Sequence, residues 1–189
     1  MKPINPKASR VMVDAIVNQV IPPLKARGFL EMPQIKEAIP SWDFHRQRRN
    51  QGFDVFSITF DDKRRPYFYG AINIIDPKGI RQPWGEFIEA DQATAFHPLK
   101  RILIQKKHSG FLAFFLPFWF SHGWFGFKAN DNAEATKAAA LRASEEFIAC
   151  LDQAEKWWAS RELGPNLVNG DIGPIAPKQT SGTSHASNS

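Results

Sequence analysis

Apolar residues near the N-terminus recur every three or four positions, which is the spacing of one buried helix face. They run from Val13 to Leu24. Gly28 then fits the left-handed position at which many helices end, and Phe29 supplies the next apolar contact. Two consecutive prolines lie ahead of Leu24, and they predict a break or kink near Ile21.

Alternating apolar and polar residues follow this helix and predict three strands, at residues 42–48, 53–60 and 67–75. The short connections between them carry turn residues, so the strands are expected to form an antiparallel meander. The pattern then weakens. Residues 84–95 are interpreted as a short helix, and residues 98–107 as a strand or a surface segment.

Residues 111–127 (FLAFFLPFWFSHGWFGF) hold nine of the 24 aromatic side chains and no formal charge. Their period-two pattern is apolar on both sides, as in a central strand covered on both faces. Pro117 predicts a bulge or an edge position, with a turn at 121–123 and a short strand at 124–127. The proline, the glycines and the limited length disfavour a membrane-spanning helix. The pattern leaves open whether the hairpin at 118–125 belongs to the core, to an interface or to a membrane surface.

The last predicted element is a helix of about 30 residues. Asp131 is expected to cap it together with Glu134, and an apolar stripe runs from Ala140 to Trp158. From residue 163 onward Gly, Pro, Asn, Ser and Thr dominate, which is typical of a disordered tail. The sequence therefore predicts one α+β domain at 1–162 and a disordered tail at 163–189. In this domain an antiparallel sheet of about five strands packs against an N-terminal helix and a long C-terminal helix.

Composition is that of an ordinary globular domain, with 43% apolar and 23% charged residues. The single cysteine, Cys150, allows no intrachain disulfide, and no signal-peptide pattern opens the chain, so a cytoplasmic location is expected. The net charge is +5. Residues 45–107 alone contain 12 Lys/Arg against 7 Asp/Glu. Such a basic segment can attract an acidic protein or a polyanion.

The sequence contains no recognisable catalytic motif. The five histidines lack metal-ligand spacing and the only cysteine stands alone, so no metal and no cofactor is predicted. Ser121 and His122 are adjacent, but no GxSxG motif accompanies them. Glu86 and Glu89 would share a face of the predicted helix, close to Asp91. An enzyme would require carboxylates such as these to converge with a histidine, His97 or His122, in one pocket.

The order of elements resembles a family of small bacterial α+β domains of unknown function. Members have a helix ending in a Gly-Phe pair (here Gly28 and Phe29), a strand with an "F.R" motif (Phe44 and Arg46), a Trp-Phe strand at 124–127 and a long helix. The resemblance spans residues 8–160. This chain departs from the family by an insertion at 30–41 and by its tail. The family has no agreed catalytic residues; some members look like adaptor or immunity proteins that bind another protein.

We therefore expect a non-enzymatic protein-binding domain of the immunity or adaptor type, with an acidic or toxin-like protein as its partner. One alternative is a nucleic-acid-binding protein that uses the basic 45–107 segment. Another is a hydrolase-like enzyme whose site is assembled only in three dimensions. The residues expected to contact the partner are basic or aromatic: Arg46, Arg48, Arg49, Arg64, Arg65, Phe118, Trp119, His122 and Trp124.

Overall fold

An antiparallel sheet with helices on one face forms the centre of the molecule, which confirms the predicted α+β class. The computed structural model describes residues 6–33, 41–49, 52–61, 65–98, 100–107, 122–128 and 132–171. Side chains from helices at both ends of the chain pack together with the sheet in one hydrophobic core.

The N-terminal helical segment has three parts: α1 (Pro6–Ala15), a π-helical turn (Ile16–Val20) and α2 (Ile21–Ala26). The π turn occurs where the prolines predicted a break. Both prolines occupy the first turn of α2, where a backbone N–H is not needed. At the other end of α2, Gly28 adopts φ +83° and its N–H bonds to the Lys25 carbonyl at 2.9 Å, as a left-handed cap requires.

In chain order the strands are β1 (Leu30–Glu31), β2 (Ser41–Arg48), β3 (Gly52–Phe60), β4 (Tyr67–Ile75), β5 (Ile80–Arg81), β6 (Phe87–Ile88), β7 (Lys100–Ile104), β8 (Lys106–Lys107), β9 (His122–Gly123), β10 (Phe125–Gly126) and β11 (Leu167–Asp171). The main sheet has the strand order β1-β2-β3-β4-β7-β11, and β10 also pairs with β4. All of its pairs are antiparallel. Short pairs β5–β6 and β8–β9 lie outside it. The predicted meander is present as β2, β3 and β4.

The predicted C-terminal helix is divided into α3 (Ala133–Ile148) and α4 (Leu151–Ser160). Its cap is Asn132, whose Oδ1 accepts the Ala135 N–H at 3.1 Å; Asp131, the predicted cap, lies outside the described residues.

The helices cover the first face of the sheet with aromatic side chains. Phe147 of α3 contacts the rings of Phe56, Phe68 and Phe125. Gly70 of β4 permits this close approach, because a Cβ there would lie 2.9 Å from Cζ of Phe147. The strand segment at 124–127 is thus represented by β10, which places Phe125 in the core with 1% of its surface exposed. The predictions for residues 111–121 lie outside the described residues.

The second face of the sheet is covered by residues 80–98 rather than by a helix. The helix predicted at 84–95 is wrong: the chain forms the β5–β6 hairpin and then a series of turns. Gly85, with φ +94°, shapes the hairpin turn, and Ala93 and Ala95 pack with Val55 against the sheet. The glutamates Glu86 and Glu89 therefore do not share a helix face.

The predicted domain boundary at residue 162 is also wrong. Strand β11 lies inside the predicted tail and pairs with β7 through five residues of register, from Leu167↔Ile104 to Asp171↔Lys100. Leu167 is 5% exposed and helps to fill the first-face core. A glycine-rich composition is compatible with this strand because Gly170 lies close against Leu103, where a Cβ would meet that side chain at 2.7 Å.

Candidate functional site

Arg46 lies at the centre of a hydrogen-bonded ion-pair network between β2, β3 and α4. Its Nε and Nη2 donate to Asp54 Oδ2 at 3.2 and 2.9 Å. Its Nη1 and Nη2 donate to the two Glu155 carboxylate oxygens, both at 2.9 Å. Nη1 also donates to the Arg27 carbonyl at 3.0 Å. A guanidinium has five N–H groups, so these five bonds use its full donor capacity.

Two aromatic rings flank the same guanidinium. Its Cζ is 4.5 Å from the ring centre of Phe29 and 5.3 Å from that of Trp158. Burial lowers the pKa of Arg46, but the hydrogen bonds and charges of Glu155 and Asp54 outweigh it and raise the pKa overall. With no donor left for a ligand, Arg46 joins α4 and the N-terminal helical segment to the sheet.

The neighbouring arginines face an open cavity of about 390 Å³. Arg48 Nη1 donates to Asp54 Oδ1 at 2.8 Å and to the Trp158 carbonyl at 3.2 Å. Arg49 is exposed at the rim. Three of the predicted contact residues are therefore brought together here, in a cavity lined by Arg46, Gln47, Arg48, Arg49, Asp54, Glu155, Trp158 and Ala159.

The other predicted contact residues lie elsewhere. Arg65 pairs with Asp61 at 2.6 Å, at the opposite end of β3 from Arg49, which is about 25 Å along the strand. Trp124 is 38% exposed and packs on Tyr69 with ring centres 4.8 Å apart. Residues outside the description are Arg64, Phe118 and Trp119, together with the side chain of His122.

Ion pairing divides the basic 45–107 segment into separate patches. Asp54 pairs with both Arg46 and Arg48. At other points of the surface, Arg65 pairs with Asp61, and Lys106 pairs with Glu146 at 2.6 Å. Much of the local positive charge is thus compensated within the molecule. Across the described residues the segment does not present a continuous cationic track.

A buried polar cluster joins the second face of the sheet to the segment that covers it. Asp43 accepts hydrogen bonds from the hydroxyls of Ser57 and Ser41. Ser57 in turn accepts the N–H of Ala95 at 3.3 Å. Burial raises the pKa of Asp43, although the two serine hydroxyls and the charge of His97 act in the opposite direction. Because Ser57 is fully buried and its hydroxyl donates a hydrogen bond to Asp43, it is not arranged as a nucleophile.

His97 closes the turn next to this cluster. Its Nδ1 accepts the Thr94 N–H at 2.8 Å, which requires an unprotonated Nδ1. Burial lowers its pKa, while Asp43 and Glu86 favour the charged form. An enzyme would require the carboxylates to meet a histidine in one pocket, and this requirement is met only in part. Glu86 acts electrostatically on His97, whereas Glu89 is exposed on the following turn.

The sequence interpretation missed an exposed aromatic surface on the β5–β6 hairpin. Trp84 is 42% exposed and Phe87 46% exposed. Arg81 lies over Phe87 at 5.9 Å, and Trp84 Nε1 donates to Glu86 Oε2 at 2.9 Å. Residues 82–85 (QPWG) lie between the apolar residues Ile80 and Phe87, and their proline and glycine are the turn signal that would have indicated this hairpin.

The hairpin is held in place by its own backbone and by the sheet beneath it. Gly85 N–H bonds to the Gln82 carbonyl at 2.9 Å, and Gln82 N–H bonds to the Glu86 carbonyl at 2.7 Å. The Gln82 side chain donates to the His97 carbonyl at 3.0 Å. Ile80 and Ile88 pack against the second-face core. The exposed rings therefore sit on a fixed support.

Comparison with protein families, curated proteins and solved structures gave no match for this chain. Within the described ranges, no group of three or more His, Cys, Asp or Glu side chains could hold a metal ion. The helices of this same part of the chain are all too short or too polar to cross a membrane. Cys150 is buried, and burial with the nearby Glu146 charge raises the pKa of its thiol to about 11.

Proposed function

We propose that this chain is a non-enzymatic, cytoplasmic protein-binding domain of the adaptor or immunity type, and that the β5–β6 hairpin is its main contact surface. The observation that carries the proposal is the pair of exposed aromatic side chains, Trp84 and Phe87, on a rigid hairpin beside Arg81. Tryptophan and arginine are enriched among the residues that dominate binding energy at protein interfaces.

Preorganisation supports the same function. Trp84 and Phe87 are each fixed by a neighbour, Glu86 for the indole and Arg81 for the phenyl ring. Aromatic side chains that are already ordered lose little conformational entropy when a partner covers them. The resemblance to adaptor-like and immunity-like domains agrees with this function. The arginines at the edge of the cavity remain a second contact region for an acidic partner.

The test is affinity capture with the full-length chain from host cells, followed by binding measurements on each recovered protein. We expect Trp84→Ala/Phe87→Ala to weaken binding of the partner by about hundredfold, because two anchoring side chains are lost. Leu163→Ala is the matched control: Leu163 is 46% exposed but lies three residues beyond the end of α4, and its loss is expected to leave binding unchanged.

Thermal unfolding of each variant checks that the fold is intact. The proposal fails if the wild-type chain captures no protein with saturable affinity, or if the double variant binds its partner as well as the wild type does. Binding to oligonucleotides that falls steeply with added salt would instead favour the nucleic-acid alternative.

A further inference from the structure

Arg101 is a buried cation to which the described residues supply no counter-ion. It lies on β7 and only 7% of its surface is exposed. Its Nε makes no hydrogen bond. The ion pairs of the described residues join other side chains, and none includes Arg101. Arg46, by contrast, satisfies all five donors although its side chain is 23% exposed.

A buried charge is costly unless a counter-ion and hydrogen bonds compensate for it. Among the described residues, the guanidinium lies over the ring of Phe96, whose centre is 5.0 Å from the Arg101 Cζ. A cation–π contact contributes less than the desolvation of a guanidinium costs. Methionine would fill the same position without this penalty. A bound anion would supply the missing compensation.

One aromatic ring contacts the guanidinium, and two more extend from it across the second face. Phe96 packs edge-on against Tyr69 at 6.2 Å, and Tyr69 packs against Trp124 at 4.8 Å. Burial raises the pKa of Tyr69, while the Thr59 hydroxyl and the charge of Arg101 act in the opposite direction. At neutral pH the Tyr69 hydroxyl is thus protonated and can donate a hydrogen bond. A phenol donor, a guanidinium and three rings share one part of the second face.

We propose that Arg101 and Tyr69 bind the oxyanion of a small organic ligand, with Phe96 and Trp124 contacting its apolar body. Guanidinium groups recognise carboxylates and phosphates through paired charge-assisted hydrogen bonds, which suits either oxyanion. Aromatic rings are common in the walls of ligand pockets, with few polar groups setting the orientation. This site is separate from the exposed face of the β5–β6 hairpin and does not depend on its function.

The experiment titrates the full-length chain with phenyl phosphate, benzoate and inorganic phosphate, using calorimetry. We expect saturable binding of at least one aromatic anion. Whichever of phenyl phosphate and benzoate binds more tightly identifies the oxyanion that the site prefers. The affinity for inorganic phosphate shows how much of the binding comes from the oxyanion without the ring. Arg101→Met should weaken binding by about tenfold or more, since it removes the charged donor. Arg161→Met is the matched control, because Arg161 also lies over a ring, that of Trp157 at 5.0 Å, but is exposed and belongs to neither site.

Thermal unfolding separates a ligand site from a structural role. Without ligand, Arg101→Met should melt at the same temperature as the wild type or higher, because an uncompensated charge is removed. Tyr69→Phe keeps the ring and should also bind more weakly. The proposal is overturned if the wild type binds none of the probes, if both variants bind like the wild type, or if Arg101→Met melts well below it.

Discussion

At the scale of single residues, two largely buried arginines differ in their hydrogen-bond partners. Both lie over aromatic rings, but Arg46 also has two carboxylates and a carbonyl around it. Among the described residues, no carboxylate pairs with Arg101. Hydrogen-bond capacity distinguishes them more clearly than exposure does. A guanidinium whose five donors are all used holds the fold together. One with a buried donor left unused, such as Nε of Arg101, has capacity left for a ligand.

Arg46→Met is therefore expected to destabilise the protein. The substitution leaves Glu155 without its two hydrogen bonds and Asp54 with Arg48 alone. Because Asp54 is 5% exposed, the loss should be about 2–4 kcal/mol in the free energy of unfolding, measured by urea denaturation. Arg49→Met, at an exposed position of the same strand end, should change it by less than about 0.5 kcal/mol. Equal stability of the two variants would contradict the assigned role of Arg46.

At the scale of elements, the segment that covers the second face has little regular structure and relies on a few polar contacts. Thr94 N–H bonds to His97 Nδ1, Gln82 bonds to the His97 carbonyl, and Ala95 N–H bonds to Ser57. The small side chains of Ala93 and Ala95 let the backbone lie close to the sheet. Protonation of Nδ1 would remove the acceptor that closes the turn.

The stability of this segment should consequently depend on pH. The pKa of His97 is lowered in the folded state from its ordinary value of 6.5. Below that value the unfolded chain binds a proton that the folded chain does not, so stability falls as the pH decreases through this window. Wild type should lose more stability between pH 7.5 and 5.5 than His97→Asn, which keeps an acceptor but does not titrate. Urea unfolding at the two pH values measures the difference, and parallel losses would rule out this contribution.

At the scale of the whole molecule, the C-terminal strand determines where the domain ends. Strand β11 adds five paired residues at the edge of the sheet, beyond the last helix. Leu167 and Val168 are 5% and 8% exposed. The domain therefore includes residues that follow α4, and the sheet depends on both ends of the chain.

Truncated chains test where the folded domain ends. A chain ending at residue 162 loses β11 and exposes the β7 edge together with Ile104, so we expect a lower melting temperature or a failure to fold. A chain that ends at residue 171 keeps the strand, and its melting temperature should match that of the full chain. Similar stability of the two truncated chains would contradict the contribution of β11.

An element could be predicted from the sequence when the residues that define it lie close together along the chain. Strands β2 to β4 could be predicted because local alternation of apolar residues defines them. Strand β11 could not, since its partner β7 lies more than 60 residues away in the sequence. The role of Arg46 could not be predicted either, since its hydrogen-bond partner Glu155 is 109 positions away in the sequence. The hairpin at 80–88 was misassigned because turn residues and docking on the sheet outweighed weak helical spacing.

The arrangement around β4 has a consequence for how this chain can change. The chain leaves the sheet after Ile104, opposite Gly70, and returns at Phe125, opposite Phe68. These two contacts are two residues apart on the same edge of β4, which is about 7 Å. Strands β8 and β9 pair with each other across this connection, so an insertion between them is expected to preserve the strand register on either side. A segment inserted at this point could therefore add a new binding surface to the protein without changing the sheet.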